Sequence, residues 1–252
     1  MKIRIIVPII DYLSQPAGYS METKYLNTVK DKETEIFEKG IEYGFNTVES
    51  ELMTIINGSQ VVMSVVEDIK KGIEYDGVMV DCFDDPGIEA LKELLQIPVA
   101  GAFESAIEKA LQIGEPFGII TTDDAGLLHE RKKVQAFGAN DLLYDVEKAE
   151  TRVDEILYLP KTVVSKVTMA INRMIILKPE IKTVIFGCTG MFLIVEDVRK
   201  AVKESNLDIT IIEPFANCLK TLEERINTSK NTHIDCCVNY ELFNSDNFKW
   251  FN

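Results

Sequence analysis

Short apolar runs rich in β-branched residues alternate along the chain with longer amphipathic stretches. The apolar runs predict strands, and the stretches in which apolar residues recur every three or four positions predict helices. The predicted strands are Ile3–Ile10, Thr47–Ile56, Gly77–Asp81, Pro98–Gly101, Gly118–Thr121, Asp141–Tyr144, Thr183–Phe186 and Ile209–Ile212. The predicted helices are Asn27–Tyr43, Val61–Tyr75, Ile88–Leu95, Glu104–Ile113, Gly126–Phe137, Thr151–Leu177, Ile194–Glu204 and Phe215–Ser229. This alternation predicts an α/β fold whose parallel sheets are flanked by helices on both faces.

One pattern occurs twice in the chain: apolar strand, cysteine, turn, helix, apolar strand, a phenylalanine, and a further helix. The first copy is centred on Cys82 and the second on Cys188. The repeat predicts two similar lobes, the first formed by residues 1–100 with 214–252 and the second by residues 101–213. Ligands of parallel sheets bind outside the carboxyl ends of the strands, where both cysteines are predicted to lie. We therefore expect the two thiols to face one cleft from opposite sides.

Composition narrows the class of protein. The chain has 252 residues, of which 46% are hydrophobic and 27% charged, as expected of an ordinary globular protein. The formal net charge is −14, and no run of lysine and arginine occurs, which argues against nucleic acid and anionic membranes as partners. A small-molecule substrate remains compatible with this charge, because backbone amides supply local positive potential even for an anion.

The cysteine and histidine content bears on location and cofactors. The first apolar run is too short for a signal peptide, and none approaches the roughly 20 residues that span a bilayer, so we predict a cytoplasmic protein whose five cysteines are thiols. Without a C-x-x-C motif, and with only two histidines, no metal is predicted. Neither a G-x-G-x-x-G motif nor a P-loop is present, so no nucleotide cofactor is expected. His129, in a charged helix, and His233, in the tail, are interpreted as surface residues.

Cys82 has two competing interpretations. A free cysteine at a strand end is most often a small buried apolar residue. In the functional interpretation, Asp85 is the N-cap and Pro86 the first residue of a helix that begins just past the thiol. The free amides and positive end of that helix would stabilise a thiolate. Asp84 and Asp85 would oppose this unless their carboxylates face the amides.

Cys188 has the same two interpretations, and other polar groups lie at neighbouring strand ends. Gly187 and Gly190 bracket the thiol and allow a tight turn with close approach of a ligand to the backbone. The hydroxyl of Thr189 is placed to bond a substrate oxygen. Thr121 and Thr122 end a further strand, where they are either strand-forming residues or hydroxyls at the cleft. By contrast, Cys218 lies on the apolar face of a helix and is predicted to pack in the core.

Two segments of the sequence resemble the motifs of a known family. The segment 81–87 resembles the D-C-F-x-D-P-G motif of hydantoin and allantoin racemases, within the aspartate/glutamate racemase superfamily, and the segment 186–190 resembles their second motif, G-C-A/T-G. The resemblance extends to about Arg225. It implies two pseudo-symmetric lobes with the site between them, no cofactor, and a homo-oligomer. It also implies that Cys82 and Cys188 flank the chiral carbon of the substrate.

The same resemblance implies which groups bind the substrate and where this chain departs from its relatives. The implied binding positions, which offer backbone amides or hydroxyls to the substrate's oxygens, are Phe83, Thr121, Thr122, Thr189 and Gly190. Relatives often have an Asn-Pro-Asn-Thr-like turn after the first strand, whereas this chain has the sequence Val-Pro-Ile-Ile at 7–10, so one polar contact is expected to be missing. The amino acid racemases have Cys-Asn-Thr and Cys-Thr-His, so the sequences here favour a flatter, less charged ring such as a hydantoin.

The functional hypothesis is a cofactor-independent racemase that acts on a 5-substituted hydantoin or allantoin through two cysteine bases. Three alternatives within the fold stay open: an amino acid racemase of the aspartate/glutamate type, a related lyase or decarboxylase, and a maleate isomerase-like enzyme. A fourth, from another class, is a two-lobe protein that binds a small ligand and has inert thiols. Ordinary or raised thiol pKa values together with unreactive thiols would favour that binding protein.

Overall fold

Two parallel sheets of four strands each form the framework of the computed structural model, which describes residues 1–10 and 16–230. The first sheet contains β1 (Lys2–Val7), β2 (Glu35–Gly40), β3 (Gly77–Val80) and β4 (Val99–Gly101), in the order β2-β1-β3-β4. The second contains β5 (Phe117–Thr121), β6 (Leu143–Lys148), β7 (Thr183–Phe186) and β8 (Thr210–Ile212), in the order β6-β5-β7-β8. Both sheets thus repeat one topology. The predicted α/β class with two parallel sheets is confirmed.

Helices connect successive strands, as parallel pairing requires. Those of the described residues are α1 (Pro16–Val29), α2 (Glu51–Lys70), α3 (Ile88–Leu94), α4 (Ala102–Ile113), α5 (Asp124–Phe137), α6 (Val153–Tyr158), α7 (Pro160–Leu177), α8 (Val195–Glu204) and α9 (Pro214–Lys230). A 3₁₀ turn, Thr189–Ile194, lies between β7 and α8. We call each sheet with the helices that cover it a lobe.

The sequence prediction was wrong between residues 27 and 56. The chain there forms the end of α1, strand β2 and the start of α2, instead of a helix at 27–43 and a strand at 47–56. Strand β2 lies at the edge of its sheet and pairs only with β1, so it retains charged residues that are typical of an exposed helix. Helix α2 starts early because the Ser50 hydroxyl accepts a hydrogen bond from the amide of Met53, a local N-cap.

Two further predictions needed correction. The helix predicted over 151–177 is divided into α6 and α7, because Pro160 cannot continue the first helix and instead occupies the first position of the second. Strand β6 lies at Leu143–Lys148, several residues beyond the predicted 141–144. The other predicted elements lie within a few residues of their observed positions, apart from the earlier start of α2.

The last helix packs on the first sheet. Its buried residues Phe215, Leu219 and Leu222 form one core cluster with Ile5 and Met79 of β1 and β3. Cys218 is fully buried in the same cluster, which confirms its predicted place in the core. The chain thus completes the second sheet before it returns to cover the first. The exact lobe boundaries at residues 101 and 213 stay a prediction.

Among the described residues, no helix has both the length and the apolar character that crossing a bilayer demands. The predicted role of the aromatic tail, 233–252, with Cys236, Cys237 and His233, lies outside the described residues.

Candidate active site

Both sequence-predicted cysteines lie at one cavity. Cys82 follows the end of β3 by two residues, and Cys188 follows the end of β7 by two residues, so they occupy equivalent positions in the two sheets. The side chains are partly exposed, and both line a cavity of about 420 Å³. They are close enough for a charge on Cys188 to raise the pKa of Cys82. The cavity is formed by carboxyl-terminal strand ends of both sheets, where ligands of parallel sheets bind.

The five other predicted site residues also line this cavity: Phe83, Thr121, Thr122, Thr189 and Gly190. Their side chains differ in how far they are exposed to the cavity. The ring of Phe83 is buried against the ring of Phe103, with the ring centroids 5.4 Å apart, and it belongs to the core. Thr121 is buried, whereas Thr122 and Thr189 are partly exposed. The structure therefore brings all the predicted residues together, and the three threonine hydroxyls all come from the second lobe.

Backbone amides surround the sulfur of Cys188. The 3₁₀ turn begins at the next residue, and the amides of Gly190 and Met191 donate hydrogen bonds to the thiol, which favours its ionised form. Burial outweighs these bonds, and with the nearby carboxyl of Asp81 it raises the pKa of Cys188 to about 12. The resting group is therefore a thiol at neutral pH, with two donors already placed for a thiolate.

Cys82 has fewer donors from its own turn. The amide of Asp84 lies 3.5 Å from the sulfur and donates to it. Burial, together with the carboxylate of Asp84, raises the pKa of the Cys82 thiol well above its ordinary value, and the ammonium of Lys133 acts in the opposite direction. The ionisation of Cys82 therefore depends on a side chain that comes from α5 in the other lobe.

The predicted helix start beside Cys82 was wrong. Helix α3 begins at Ile88 after Gly87, whose φ is +79°, so the thiol is not at its N-terminus. The carboxylate of Asp85 instead accepts hydrogen bonds from the amides of Phe103 and Glu104, each 2.9 Å long, and so caps α4. This close approach requires a glycine at the cap position of α4, because a Cβ atom at Gly101 would lie 2.3 Å from the Asp85 carboxyl carbon.

Helix α5 supplies cations to the Cys82 turn. Burial alone would raise the pKa of Asp84, but the hydrogen bond from His129 and the charge of Lys133 lower it to about 2. The distances from its Oδ1 are 3.0 Å to His129 Nε2 and 3.2 Å to Lys133 Nζ. His129 lines the cavity and its side chain is 27% exposed, so its interpretation as a surface residue was wrong. The available signal was the four-residue spacing, which places His129 and Lys133 on one helix face.

Three carboxyl groups that the sequence analysis did not identify lie at another part of the wall. Oxygen atoms of Glu22, Glu38 and Asp81 lie within 4.8 Å of one another, and Glu22 and Asp81 line the cavity. Burial and mutual repulsion raise the pKa of Glu22 to about 10 and that of Asp81 to about 8, and burial raises that of Glu38 to about 7. These groups come from three elements far apart in sequence, which is why no local motif indicated them. Among the described residues, this group has the geometry to hold a cation.

Two loops of the first lobe form a further part of the wall. Val7, Pro8 and Ile9 line the cavity, as does the segment 46–51. The buried side chain of Asn57 joins the two loops: it donates to the Pro8 carbonyl at 2.7 Å and accepts from the Phe45 amide at 2.8 Å. The apolar sequence that departs from the family pattern therefore does reach the cavity, where it contributes apolar surface.

Comparison with known proteins gives consistent matches. A family model described as Asp/Glu/Hydantoin racemase matches residues 27–219. The hydantoin racemase of Rhizobium meliloti is 27% identical over 161 residues, which cover 59% of this chain and 63% of that protein. The hydantoin racemase of Pseudomonas sp. (strain NS671) is 22% identical over 173 residues, which cover 68% and 67%. The alignments thus span about two thirds of the length of these relatives.

Solved structures share the fold. Allantoin racemase from Klebsiella pneumoniae superposes with a TM-score of 0.78 at 21% identity, over 91% of this chain and 89% of that one. Allantoin racemase from Pseudomonas fluorescens superposes with a TM-score of 0.77 at 16% identity, over the whole of both chains. At these identities the likeness establishes the two-lobe α/β architecture.

Proposed function

The chain belongs to the Asp/Glu/hydantoin racemase family, as its two cysteine motifs predicted, and we propose that it is a cofactor-independent racemase. The proposed substrate is a small carbon acid of the 5-substituted hydantoin class, allantoin included. One observation carries the proposal: two thiols from equivalent strand ends of two similar sheets line a single cavity. Its volume of about 420 Å³ is in the range of small-molecule sites.

The proposed reaction uses the two cysteines as opposed bases. One thiolate removes the proton from C5 of the ring, and the electron pair moves into the neighbouring carbonyl to form an enolate. The second cysteine, as a thiol, then donates its proton to the opposite face of C5, and the roles exchange for the other enantiomer. Backbone amides of the turns after Cys82 and Cys188, with the hydroxyls of Thr121 and Thr122, are proposed to hold the substrate oxygens.

The raised pKa values of the two thiols mean that forming the reactive thiolate costs free energy at neutral pH. A thiolate is scarce at neutral pH when burial disfavours its charge, but the thiolate that does form is a stronger base. A hydantoin requires a weaker base than a free amino acid does, because no full carboxylate opposes the negative charge that develops on proton removal. The amides at Cys188 and the ammonium of Lys133 near Cys82 offset part of the cost of ionisation.

The charge of the cavity wall bears on the alternatives within the fold. Seven acidic residues line the cavity: Glu22, Glu49, Glu51, Asp81, Asp84, Asp123 and Glu130. Asp84, whose pKa is about 2, is ionised at neutral pH, and a free aspartate or glutamate would bring two further carboxylates near it, which is unfavourable between like charges. The acidic wall therefore favours an uncharged ring over a dicarboxylic amino acid.

A protein that binds a small ligand through inert thiols is the second candidate function. The observation that favours it is the raised pKa of both cysteines. The two functions differ in one measurable property, because a racemase exchanges the substrate's α-proton with solvent and a binding protein does not.

The decisive experiment follows that proton by NMR in deuterium oxide. The panel contains allantoin, a 5-alkylhydantoin, aspartate, glutamate and maleate. We expect exchange at C5 of the hydantoins, and a loss of racemisation of about a thousandfold in Cys82→Ser and in Cys188→Ser measured separately. Each variant should lose C5 exchange only for the enantiomer whose proton faces the replaced thiol. Cys218→Ala is the matched control, because that thiol lies in the core away from the cavity. Unchanged exchange in both serine variants would refute the two-thiol mechanism.

We also propose that the protein acts in the cytoplasm, where its thiols stay reduced, and as a homo-oligomer. Three apolar side chains of α7 support the oligomer, since Met169, Ile176 and Leu177 are 60%, 79% and 67% exposed. Light scattering after size-exclusion chromatography gives the mass. A monomer of 28.4 kDa would contradict the proposal.

A further inference from the structure

The acidic part of the cavity wall has a geometry that the proton transfer does not use. Glu22 of α1, Glu38 of β2 and Asp81 after β3 bring their carboxyl oxygens within 4.8 Å of one another. We call these three residues the carboxyl cluster. Two of its members, Glu22 and Asp81, face the same cavity as the thiols. A ligand between the sulfurs would therefore have the carboxyl cluster beside it.

One atom of the carboxyl cluster indicates a missing hydrogen-bond partner. Asp81 is 6% exposed, and its Oδ1 has no hydrogen-bond partner in the protein, although the same carboxyl group accepts a bond from the hydroxyl of Thr189. A buried acceptor without a donor costs about 1–3 kcal/mol. A ligand whose N–H group donates a hydrogen bond to this atom would remove that cost, whereas an alkyl group would leave the atom unpaired.

The position of the cluster relative to the thiols determines which part of the substrate meets it. Asp81 directly precedes Cys82, and Thr189, which bonds to Asp81, directly follows Cys188. A group within reach of Asp81 must therefore be attached to the reacting carbon or be very close to it. The groups bonded to C5 of a hydantoin are the ring N1–H, the C4 carbonyl and the substituent, and the substituent is the one that differs between hydantoins.

We propose that the carboxyl cluster is a subsite for a neutral N–H-bearing substituent of the ureido or amide type at C5 of the substrate. This inference rests on the proposed function and narrows its substrate class. A ureido group has N–H donors and a carbonyl acceptor. The cluster matches both, because Asp81 retains its proton at neutral pH, so its carboxyl group offers one hydroxyl donor and one carbonyl acceptor.

Three hydantoins with substituents of the same branched shape and the same number of heavy atoms provide the test. Allantoin has a ureido group at C5, 5-isobutylhydantoin an alkyl group, and 5-guanidinohydantoin a cation. Their dissociation constants are measured by calorimetry, which does not require turnover. For the native protein we expect allantoin to bind at least tenfold more tightly than the isobutyl compound, and more tightly than the guanidino compound.

Substitutions in the cluster then identify its contribution. Glu22→Leu should weaken allantoin about tenfold and change 5-isobutylhydantoin less than twofold, whereas Glu22→Gln, which keeps a donor and an acceptor, should retain most of the preference. Glu35→Leu is the matched control, because Glu35 is an exposed residue of β2 outside the cavity. Thermal unfolding of each variant verifies that it is folded.

Each alternative outcome overturns the proposal. Equal affinity for allantoin and the isobutyl compound, or equal losses for both in Glu22→Leu, would show that the cluster does not recognise the substituent. Tightest binding of the guanidino compound, or stoichiometric binding of Ca²⁺ that Glu22→Leu abolishes, would identify a cation site instead. Preference for allantoin without C5 proton exchange would support the subsite and refute the racemase, so the two failures are distinguishable.

Discussion

The two cysteines have equivalent positions in the repeated topology but different surroundings. Cys188 receives hydrogen bonds from the amides of Gly190 and Met191, both within its own turn. Cys82 receives one amide hydrogen bond, from Asp84, and is influenced by Lys133 from the other lobe. A duplicated sequence pattern thus reproduced the position of a thiol without reproducing the charges around it. Backbone geometry is local to each copy, whereas side-chain partners depend on what packs against it.

The turn after Cys82 is also more strongly tied to the rest of the molecule. Asp84 pairs with α5, and Asp85 caps α4. The corresponding positions after Cys188 are Gly190 and Met191, which have no ionisable side chains. We therefore expect substitutions across the lobes to affect the Cys82 side more than the Cys188 side.

The largest effect is expected when Lys133 is replaced. Its ammonium contacts Asp84 at 3.2 Å and Glu130 at 3.5 Å, and Lys133→Met would leave these carboxyl groups buried without that cation. We expect the free energy of unfolding to fall by about 3 kcal/mol. Urea denaturation measures this, with the exposed Lys132→Met as control. Equal stabilities of the two variants would show that the Cys82 turn does not depend on the second lobe.

The next effect is the pH dependence of racemisation. Burial raises the pKa of both thiols, that of Cys188 to about 12, so each is protonated at neutral pH and the active thiolate increases as pH rises. The value of kcat/KM should therefore rise about tenfold per unit from pH 7 to 9, as expected for one deprotonation. Thiolate absorbance in each cysteine variant compares the two groups directly. A rate that is constant over this range would contradict the thiol bases.

A smaller effect is expected for the helix caps. It compares a cap supplied by a distant part of the chain with a cap supplied by the residue just before the helix. Asp85 reaches α4 from the Cys82 turn, whereas Asp123 caps α5 beside it in the chain. We expect Asp85→Ala to lower the free energy of unfolding by about 2 kcal/mol, because it leaves two buried amides without an acceptor. Asp123→Ala should cost about 1 kcal/mol. If denaturation gave the reverse order, the distant cap would be the less important one.

The smallest effect concerns His129. The hydrogen bond to Asp84 raises the pKa of His129, so its contribution to stability is fully present below the ordinary value near 6.5 and is lost as pH rises through the raised pKa. Since His129 is partly exposed, solvent screening limits this contribution to about 0.5 kcal/mol. The stability difference between the native protein and His129→Gln should therefore be larger at pH 6 than at pH 9. The same difference at both pH values would exclude an ionic role.

Much of the fold was predictable from the sequence. The middle strands β3 and β7 are apolar runs rich in β-branched residues and are buried at every position, and such runs have a strong local signal. Strand β2 was missed because an edge strand tolerates charged residues, and its pairing with β1 is a contact between distant parts of the chain. The break before Pro160 was available in the sequence, since proline cannot continue a helix.

Within the candidate site, the missed residues share one property. His129 contacts Asp84 from 45 positions away, and the carboxyl cluster joins residues 22, 38 and 81. None of these pairings is encoded by spacing along the chain. Asp85 gave a misleading local signal, because the pattern of a helix N-cap was present but its hydrogen bonds go to another helix.

The sequence by itself determined that a thiol follows a buried strand in each half of the protein, because strand, turn and helix signals act over a few residues. Only the tertiary structure decided that both thiols share one cavity, which charges face them, and how far burial raises their pKa values. The physical reason is that desolvation and Coulomb interactions depend on distance in space. Lys133 is 49 residues from Asp84 in the chain but lies 3.2 Å from its carboxylate.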